Sequence, residues 1–303
     1  MKTTRRRFLQ FGGAAAGLSL LPARLLGASA PSESVRVGVV GLGGMGRRHL
    51  EALLALEGAT VGAVCDVDPA KAEAARRAVD ARRGRDGCLA ATDYRALCER
   101  SDLDAVVVAV PDYLHARVAL HAIGHGRDVF GETPFAHTLE EGQALAAAVA
   151  RTGAVWQSGN TQRADARFRR AVAAVRGGAV GCVARVEVGL PGGGRGPRRS
   201  TAALDGVPDY HWRWVRAWGG GALAEGVGCY GDTALWGAGL TEEPLAVRGS
   251  GEYPCDGPYD TATAFEFVCR YRGGLEVVVA DGGRLEKGVG VRWIGRDGSW
   301  VWV

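Results

Sequence analysis

The fold of this chain is decided by one stretch of its 303 residues, 35-VRVGVVGLGGMG-46. Residues 35–40 form a short run rich in β-branched side chains that ends at a glycine, which predicts a buried strand. Helical periodicity follows over residues 45–56. Between them, Gly41, Gly43 and Gly46 have the G-x-G-x-x-G spacing, and a glycine turn that joins a strand to a helix is typical of dinucleotide-binding units. A plain tight turn is the alternative.

Each glycine of this loop has a predicted role. Gly41 permits the tight turn, Gly43 lets a pyrophosphate approach the backbone, and Gly46 lets the helix pack closely on the strand. The pyrophosphate would lie at the helix N-terminus, beside Gly44 and Met45, where unpaired N–H groups and the helix dipole favour negative charge.

Asp66 is predicted to select the nucleotide. It stands twenty residues after Gly46, at the end of the second predicted strand. A carboxylate at this place accepts both ribose hydroxyls of NAD and repels the 2′-phosphate of NADP, so we expect NAD rather than NADP. A helix cap or a surface carboxylate is the alternative interpretation of Asp66.

Strands and helices continue to alternate as far as residue 158. Strands are predicted over 60–65, 105–110, 128–130 and 155–157, and helices over 69–81, 113–125 and 138–151. This order predicts an α/β fold in which residues 34–158 form a Rossmann domain, a doubly wound parallel sheet that binds NAD.

The pattern changes after Asn160. One helix is predicted over 166–176, and strands follow over 184–188, 245–251, 261–271, 275–280 and 288–295, with few helices between them. Residues 159–303 are therefore predicted to form an α+β domain with an open, mostly antiparallel sheet.

The first 30 residues resemble a twin-arginine signal peptide. The sequence TRRRFLQ at residues 4–10 is followed by a short apolar stretch over 11–21 and by an A-x-A cleavage site at residues 28–30. A membrane anchor is disfavoured because glycines and Arg24 interrupt the apolar part, so no stable membrane insertion is expected after cleavage. We expect export to the periplasm, by a route that carries folded proteins.

Composition argues against several classes of function. The net charge of +4 owes much to the basic first ten residues, so the mature chain lacks a basic stripe and no nucleic acid is expected as a partner. The seven cysteines have no C-x-x-C spacing, so the sequence predicts neither a disulfide framework nor a metal site.

Four further segments resemble the Gfo/Idh/MocA family of sugar and cyclitol oxidoreductases, and they occur in the family's order. They are VVVAVPDYLH (106–115), GETP (131–134), GNTQR (159–163) and GGGAL (219–223), the last continuing to Asp232 and Trp236. The resemblance implies an NAD cofactor, a carbohydrate substrate and a second domain that covers the nicotinamide. It also implies a homo-oligomer, since the open sheet of the family commonly pairs with another subunit. Family members continue well beyond residue 303, so we expect the second domain to be incomplete.

The resemblance also assigns positions in the site. The cofactor cleft would be lined by Pro111, His115 and Glu132, and the region near the nicotinamide and substrate by Asn160, Gln162 and Arg163. Independently of the resemblance, a cluster precedes the glycine run at residues 219–221. Its members, Trp212, Arg213, Trp214 and Trp218, could stack on a sugar and bind its hydroxyls, or could pack against the sheet.

Two departures from the family concern its chemistry. Thr133 replaces the lysine that usually supports substrate binding and proton transfer, and Cys229 occupies the usual histidine position, three residues before Asp232. Threonine cannot act as a base near pH 7 by itself, and a buried, inert thiol is the simpler interpretation of Cys229. The candidates for taking the substrate proton are then His115, Tyr230 and Asp232, with Cys229 as a fourth.

Three functions remain open. The first is an NAD-dependent oxidoreductase for a sugar or sugar derivative that keeps its NAD bound and restores it in each cycle, because no pool of free NAD exists outside the cytoplasm. The second is a redox-neutral, NAD-dependent glycosidase, which oxidises the sugar transiently. The third is a non-catalytic relative that binds a dinucleotide or a carbohydrate, and the losses at Thr133 and Cys229 motivate it.

Overall fold

Two six-stranded sheets organise the chain. The computed structural model describes residues 34–84, 86–191, 212–255 and 257–303. The strands of the N-terminal sheet are β1 (Val35–Val40), β2 (Ala59–Cys65), β3 (Leu89–Ala91), β4 (Ala105–Val108), β5 (Asp128–Gly131) and β6 (Trp156–Ser158). Their order is β3-β2-β1-β4-β5-β6, and every neighbouring pair is parallel, which confirms the predicted doubly wound sheet.

Helices cover both faces of this sheet. They are α1 (Gly44–Ala55), α2 (Pro69–Arg83), α3 (Tyr94–Cys98), α4 (Asp112–Gly124) and α5 (Leu139–Thr152). One cluster of buried side chains lies between the sheet and α1 and α2, and a second between the sheet and α4 and α5. Because apolar side chains are needed on both faces, β1 and β4 are apolar almost throughout.

Local signals account for some element boundaries and not for others. A capping box of the Ser/Thr-x-x-Glu form begins α5: the Thr138 hydroxyl accepts from the Glu141 N–H, and the Glu141 carboxylate accepts from the Thr138 N–H. The sequence patterns predict neither β3 nor α3, since three and five residues are too few to show a period.

The second sheet follows α6 (Thr161–Ala164) and α7 (Ala166–Arg176). Its strands are β7 (Val183–Leu190), β8 (Ala246–Glu252), β9 (Ala264–Arg270), β10 (Glu276–Asp281), β11 (Gly290–Gly295) and β12 (Trp300–Trp302). The order is β12-β11-β7-β10-β9-β8. Only the β7–β10 pair is parallel among these described strands, so the expectation of a mostly antiparallel sheet is confirmed.

A helix that the sequence patterns do not predict packs on this sheet. α8 (Gly221–Gly226), a π-helical turn (Val227–Gly231) and α9 (Asp232–Ala238) follow one another with right-handed helical backbone where they join. The fully buried Trp293 of β11 donates its indole N–H to the carbonyl oxygen of Ala234 over 3.0 Å. The glycines of this stretch lower its helix propensity, so the sequence patterns alone do not predict this helix.

The described residues bear on membrane insertion and on disulfide bonds, but not on the signal peptide. None of the helices in the described ranges is long and apolar enough to cross a bilayer. All seven cysteines lie in the described ranges, and all are free thiols. The predicted signal peptide, residues 1–30, lies outside the described residues.

Candidate functional site

Packing requires two glycines of the loop between β1 and α1. Gly41 has a left-handed φ of +88°, and a Cβ there would lie 2.3 Å from the carbonyl oxygen of Ala109. A Cβ on Gly46 would lie 1.7 Å from the carbonyl oxygen of Gly41. The start of α1 can therefore pack on the end of β1 only if both residues lack a side chain.

The rest of the loop is open. Gly43, Gly44 and Met45 are exposed, and no atom lies within 4 Å of a Cβ built on Gly43 or Gly44. No side chain caps α1. Its first N–H groups therefore lack an intrahelical partner and can bind an anion. This open helix start fits the pyrophosphate of a dinucleotide.

The Asp66 carboxylate is hydrogen-bonded to the same loop. Its Oδ2 accepts from the Leu42 N–H at 2.8 Å, and its Oδ1 accepts from the Asp68 N–H at 3.0 Å. Each carboxylate oxygen has a second lone pair, so Asp66 can still accept hydrogen bonds from ribose hydroxyls. The residue thus fits the predicted NAD ribose site and also holds the glycine loop in shape.

Glu132, at the end of β5, is bound by His49 of α1. Nε2 of His49 lies 2.5 Å from Oε1 of Glu132, and both side chains are largely buried. The His49 ring packs edge-on against Phe130, with 5.1 Å between ring centroids. A Cβ on Gly159 would lie 2.8 Å from the Glu132 carboxylate. The pair ties α1 to the strand end that leads to Thr133.

His115 lies inside the domain. Its side chain is 3% exposed, and its Nε2 lies 2.5 Å from the carbonyl oxygen of Val110. Burial lowers the pKa of His115, so the neutral ring donates from Nε2. The contact holds the turn that ends at Pro111, the N-cap residue of α4. This burial argues against the expectation that His115 takes a proton from substrate.

The start of α4 also joins the two domains. Asp112 is almost fully buried, and its Oδ2 accepts from the Gly220 N–H at 3.2 Å. The carbonyl oxygen of Trp218 accepts from the Tyr113 N–H at 3.3 Å. Burial raises the pKa of Asp112. These bonds hold the segment before α8 against the end of the parallel sheet.

Thr133 and Cys229 touch each other. Oγ1 of Thr133 lies 3.5 Å from Sγ of Cys229, and a Cβ on Gly228 would lie 2.9 Å from the Thr133 Cβ. Burial raises the pKa of the Cys229 thiol, and the Thr133 contact opposes this only in part. A thiol with a raised pKa stays protonated at neutral pH, which argues against Cys229 as a base there.

The Asp232 carboxylate forms an ion pair with Arg163 and a hydrogen bond with Asn160. The Arg163 guanidinium donates to both carboxylate oxygens at 2.7 Å, and Nδ2 of Asn160 donates to Oδ2 at 2.6 Å. Arg163 also stacks on the ring of Trp236, 4.9 Å from the centroid. Asn160 further caps α6 by accepting from the N–H groups of Gln162 and Arg163. This bidentate pair argues against Asp232 as a proton acceptor.

Gln162 and Tyr230 make their contacts elsewhere. Gln162 is 9% exposed, and its Oε1 accepts from the Thr161 hydroxyl at 3.1 Å. Tyr230 packs edge-on against Phe168 of α7 and lines a groove of about 450 Å³ with Arg167 and other residues of α7 and the β12 region. Tyr230 therefore faces α7, and its ring contact is not with Thr133.

Trp212, Arg213 and Trp214 are engaged within the second domain. Arg213 forms an ion pair with Glu225 of α8 and lies 4.7 Å above the ring of Trp212. The carbonyl oxygen of Trp214 accepts from the N–H of Asp260, and its side chain packs on the core of the domain. Of the two open interpretations of this cluster, packing is the one these contacts support.

The structure thus brings eleven of the predicted residues into two groups, whereas His115, Gln162 and Tyr230 make their contacts elsewhere. Gly41, Gly43, Gly44, Met45, Gly46 and Asp66 form the loop site, and Thr133, Cys229, Asp232, Asn160 and Arg163 lie along the helix of the second domain. The sequence analysis missed two polar residues, the half-buried His49 and the buried Asp112. Their signals were a histidine one helical turn after the glycine loop and an aspartate directly after a proline.

Parts of this chain are similar to known proteins. Residues 35–160 match the oxidoreductase family model with an NAD-binding Rossmann fold. A glycosyl hydrolase family 109 protein of Streptomyces filamentosus is 41% identical over 112 residues, 36% of this chain and 23% of the relative. An alpha-N-acetylgalactosaminidase of Shewanella oneidensis is 36% identical over 121 residues, 39% of this chain and 26% of the relative. The match thus spans about a quarter of these curated relatives.

A solved structure extends the likeness to the second domain. The aldose-aldose oxidoreductase of Caulobacter crescentus, complexed with glycerol, has a TM-score of 0.69 at 22% identity, over 88% of this chain and 76% of that one. This likeness shows a shared fold. The family model covers the same residues as the parallel sheet and its glycine loop, so the N-terminal part of this chain, residues 35–160, matches the Gfo/Idh/MocA oxidoreductase family with an NAD-binding Rossmann fold.

Proposed function

We propose that this chain is an oxidoreductase that acts on a sugar or sugar derivative and keeps its NAD bound through the cycle. The observation that carries the proposal is the open start of α1 at Gly43 and Gly44, beside the Asp66 carboxylate. NAD supplies reversible hydride transfer at such a site. The backbone N–H groups at the start of α1 bind the pyrophosphate, and the Asp66 carboxylate accepts hydrogen bonds from the ribose hydroxyls.

Cofactor content is the first test. The purified protein is denatured, and released nucleotide is identified and counted by mass spectrometry. We expect about one NAD per chain and no NADP. Sugars are then added to the holoprotein while absorbance near 340 nm is followed. Protein that neither contains nor binds a dinucleotide would refute the proposal, and the glycine loop would then be only a turn.

The contact between Thr133 and Cys229 sets a second test. Thr133→Lys and Cys229→His place an ammonium and an imidazole at two positions whose side chains now lie 3.5 Å apart. General acid–base catalysis contributes about 10²–10⁴ in rate. We expect the double variant to reduce bound NAD with a sugar at least tenfold faster than the parent chain. Bound NAD that no sugar reduces in either protein favours the non-catalytic alternative.

A redox-neutral glycosidase is the second candidate. It is favoured by the names of two curated relatives, a glycosyl hydrolase family 109 protein and an alpha-N-acetylgalactosaminidase. Incubation with p-nitrophenyl α-N-acetylgalactosaminide separates the candidates. A glycosidase releases nitrophenol with no net change in bound NADH, whereas an oxidoreductase changes the absorbance near 340 nm without releasing nitrophenol.

We also propose that the chain is exported by the twin-arginine route. The support is the TRRRFLQ sequence with its apolar stretch and A-x-A site. Export would explain a need to retain NAD, because free NAD is not replenished outside the cytoplasm. Replacing Arg5 and Arg6 with lysine should keep the protein in the cytoplasmic fraction, and unchanged periplasmic recovery would contradict the proposal.

A further inference from the structure

A cluster of three metal-ligating side chains lies at the far end of α4 from the candidate site. We propose that Glu99, His121 and His125 bind one divalent transition-metal ion, with Zn²⁺ as the natural candidate. The two histidines follow Asp112 by nine and thirteen residues. At 1.5 Å per residue they lie about 14–20 Å along the helix from the residue that contacts the second domain.

The geometry brings one possible ligand atom from each residue together. These three atoms all lie within 4.8 Å of one another. His121 and His125 are four residues apart and share one side of the last turn of α4, with 4.4 Å between ring centroids. Glu99, the C-cap residue of α3, places Oε1 3.4 Å from Nε2 of His121.

The hydrogen bonding at the two rings independently points to a ligand. Nε2 of His121 is buried and has no hydrogen-bond partner among the described residues, because its approach to Glu99 lacks hydrogen-bond geometry. A buried nitrogen without a partner is costly, and an ion would satisfy it. Nδ1 of His125 lies 2.9 Å from the carbonyl oxygen of His121. Donation from Nδ1 leaves Nε2 unprotonated and available as a ligand.

The donor set selects the ion. Two imidazole nitrogens and one carboxylate oxygen suit Zn²⁺, with water in the fourth position. Glu99 and His125 are exposed, so an ion can enter from solvent, and rotation of these two side chains can shorten the ligand distances. The ring of Tyr94 packs edge-on against His121 at 5.7 Å and limits its motion. A bound ion would link α3 to α4.

Calorimetric titration of the untagged, chelator-treated full chain with Zn²⁺ tests the inference. We expect one saturable site per chain and a higher Tm with Zn²⁺. His125→Gln and Glu99→Gln each change an exposed residue, so these variants should fold, and each should weaken binding at least tenfold. His137→Gln and Glu57→Gln remove equivalent groups elsewhere and should bind as the parent does.

Spectroscopy identifies the ligands. Co²⁺ in place of Zn²⁺ should give visible bands of a four-coordinate nitrogen and oxygen site, and His125→Gln should abolish them. Absence of saturable Zn²⁺ binding would overturn the inference. Equal affinity in the parent, His125→Gln and Glu99→Gln would also overturn it, because the ion would then bind at other residues.

Discussion

Gly43→Ala should separate cofactor binding from folding. Gly43 has φ −68° and ψ −162°, a conformation that alanine adopts without strain, and its Cβ would meet no atom within 4 Å. Alanine restricts the unfolded chain and so stabilises the protein by about 0.4–1 kcal/mol, but Gly43 is the N-cap residue of α1, where alanine is less favourable than glycine by a similar amount. The two effects oppose each other, so the free energy of unfolding should change by no more than about 1 kcal/mol. For a chain of this size, that corresponds to a change in Tm of at most about 4 °C.

The same substitution should weaken NAD binding. The added methyl group projects from exposed backbone at the start of α1, where the pyrophosphate has to approach. Losing one hydrogen bond to a charged group costs about 1.5–3 kcal/mol. This corresponds to about a tenfold to hundredfold loss of affinity. Calorimetric titration of the nucleotide-free protein with NAD measures the affinity, and circular dichroism measures the Tm of the same sample.

Substitutions of two other glycines serve as controls. Gly124→Ala also adds a methyl group to open space, at the end of α4, and should change neither NAD affinity nor fold. Gly46→Ala forces a Cβ to within 1.7 Å of a carbonyl oxygen, so it should destabilise the protein by at least about 1–3 kcal/mol. If Gly43→Ala binds NAD as tightly as the parent chain, the loop is not the pyrophosphate site.

Three further substitutions test the interior and the second domain. Asp232→Asn should lower the free energy of unfolding by about 0.5–1 kcal/mol in urea denaturation, and the loss should shrink in 1 M salt, because its pair with Arg163 is partly exposed. Burial lowers the pKa of His115 in the folded protein, so as the pH falls this residue takes up a proton in the unfolded chain before it does so in the folded protein. Stability should therefore fall as pH drops below about 6.5, by no more than about 1.4 kcal/mol per pH unit, and His115→Gln should remove this component. Gly237→Ala places a Cβ 2.4 Å from the buried ring of Trp293, and should cost about 1–3 kcal/mol by thermal denaturation; an unchanged Tm would contradict this packing.

The sequence predicts the parallel domain well because its signals are local. β1, the glycine loop and α1 follow one another within 21 residues, so spacing alone indicates their order. The helix from Gly221 to Ala238 has no such local signal, since its glycines weaken both propensity and periodicity. It forms because packing against Trp293 and the sheet outweighs propensity.

The candidate site shows the same division. Residue types and spacing by themselves determined the glycine loop, the carboxylate at the end of β2 and the two departures at Thr133 and Cys229. Only the tertiary structure decided that Thr133 and Cys229 touch, that Asp232 forms an ion pair with Arg163, and that His115 is buried. Thr133 and Cys229 are 96 residues apart in the chain. Contacts of this kind depend on how two domains pack, and burial and charge pairing then determine which side chains can take a proton.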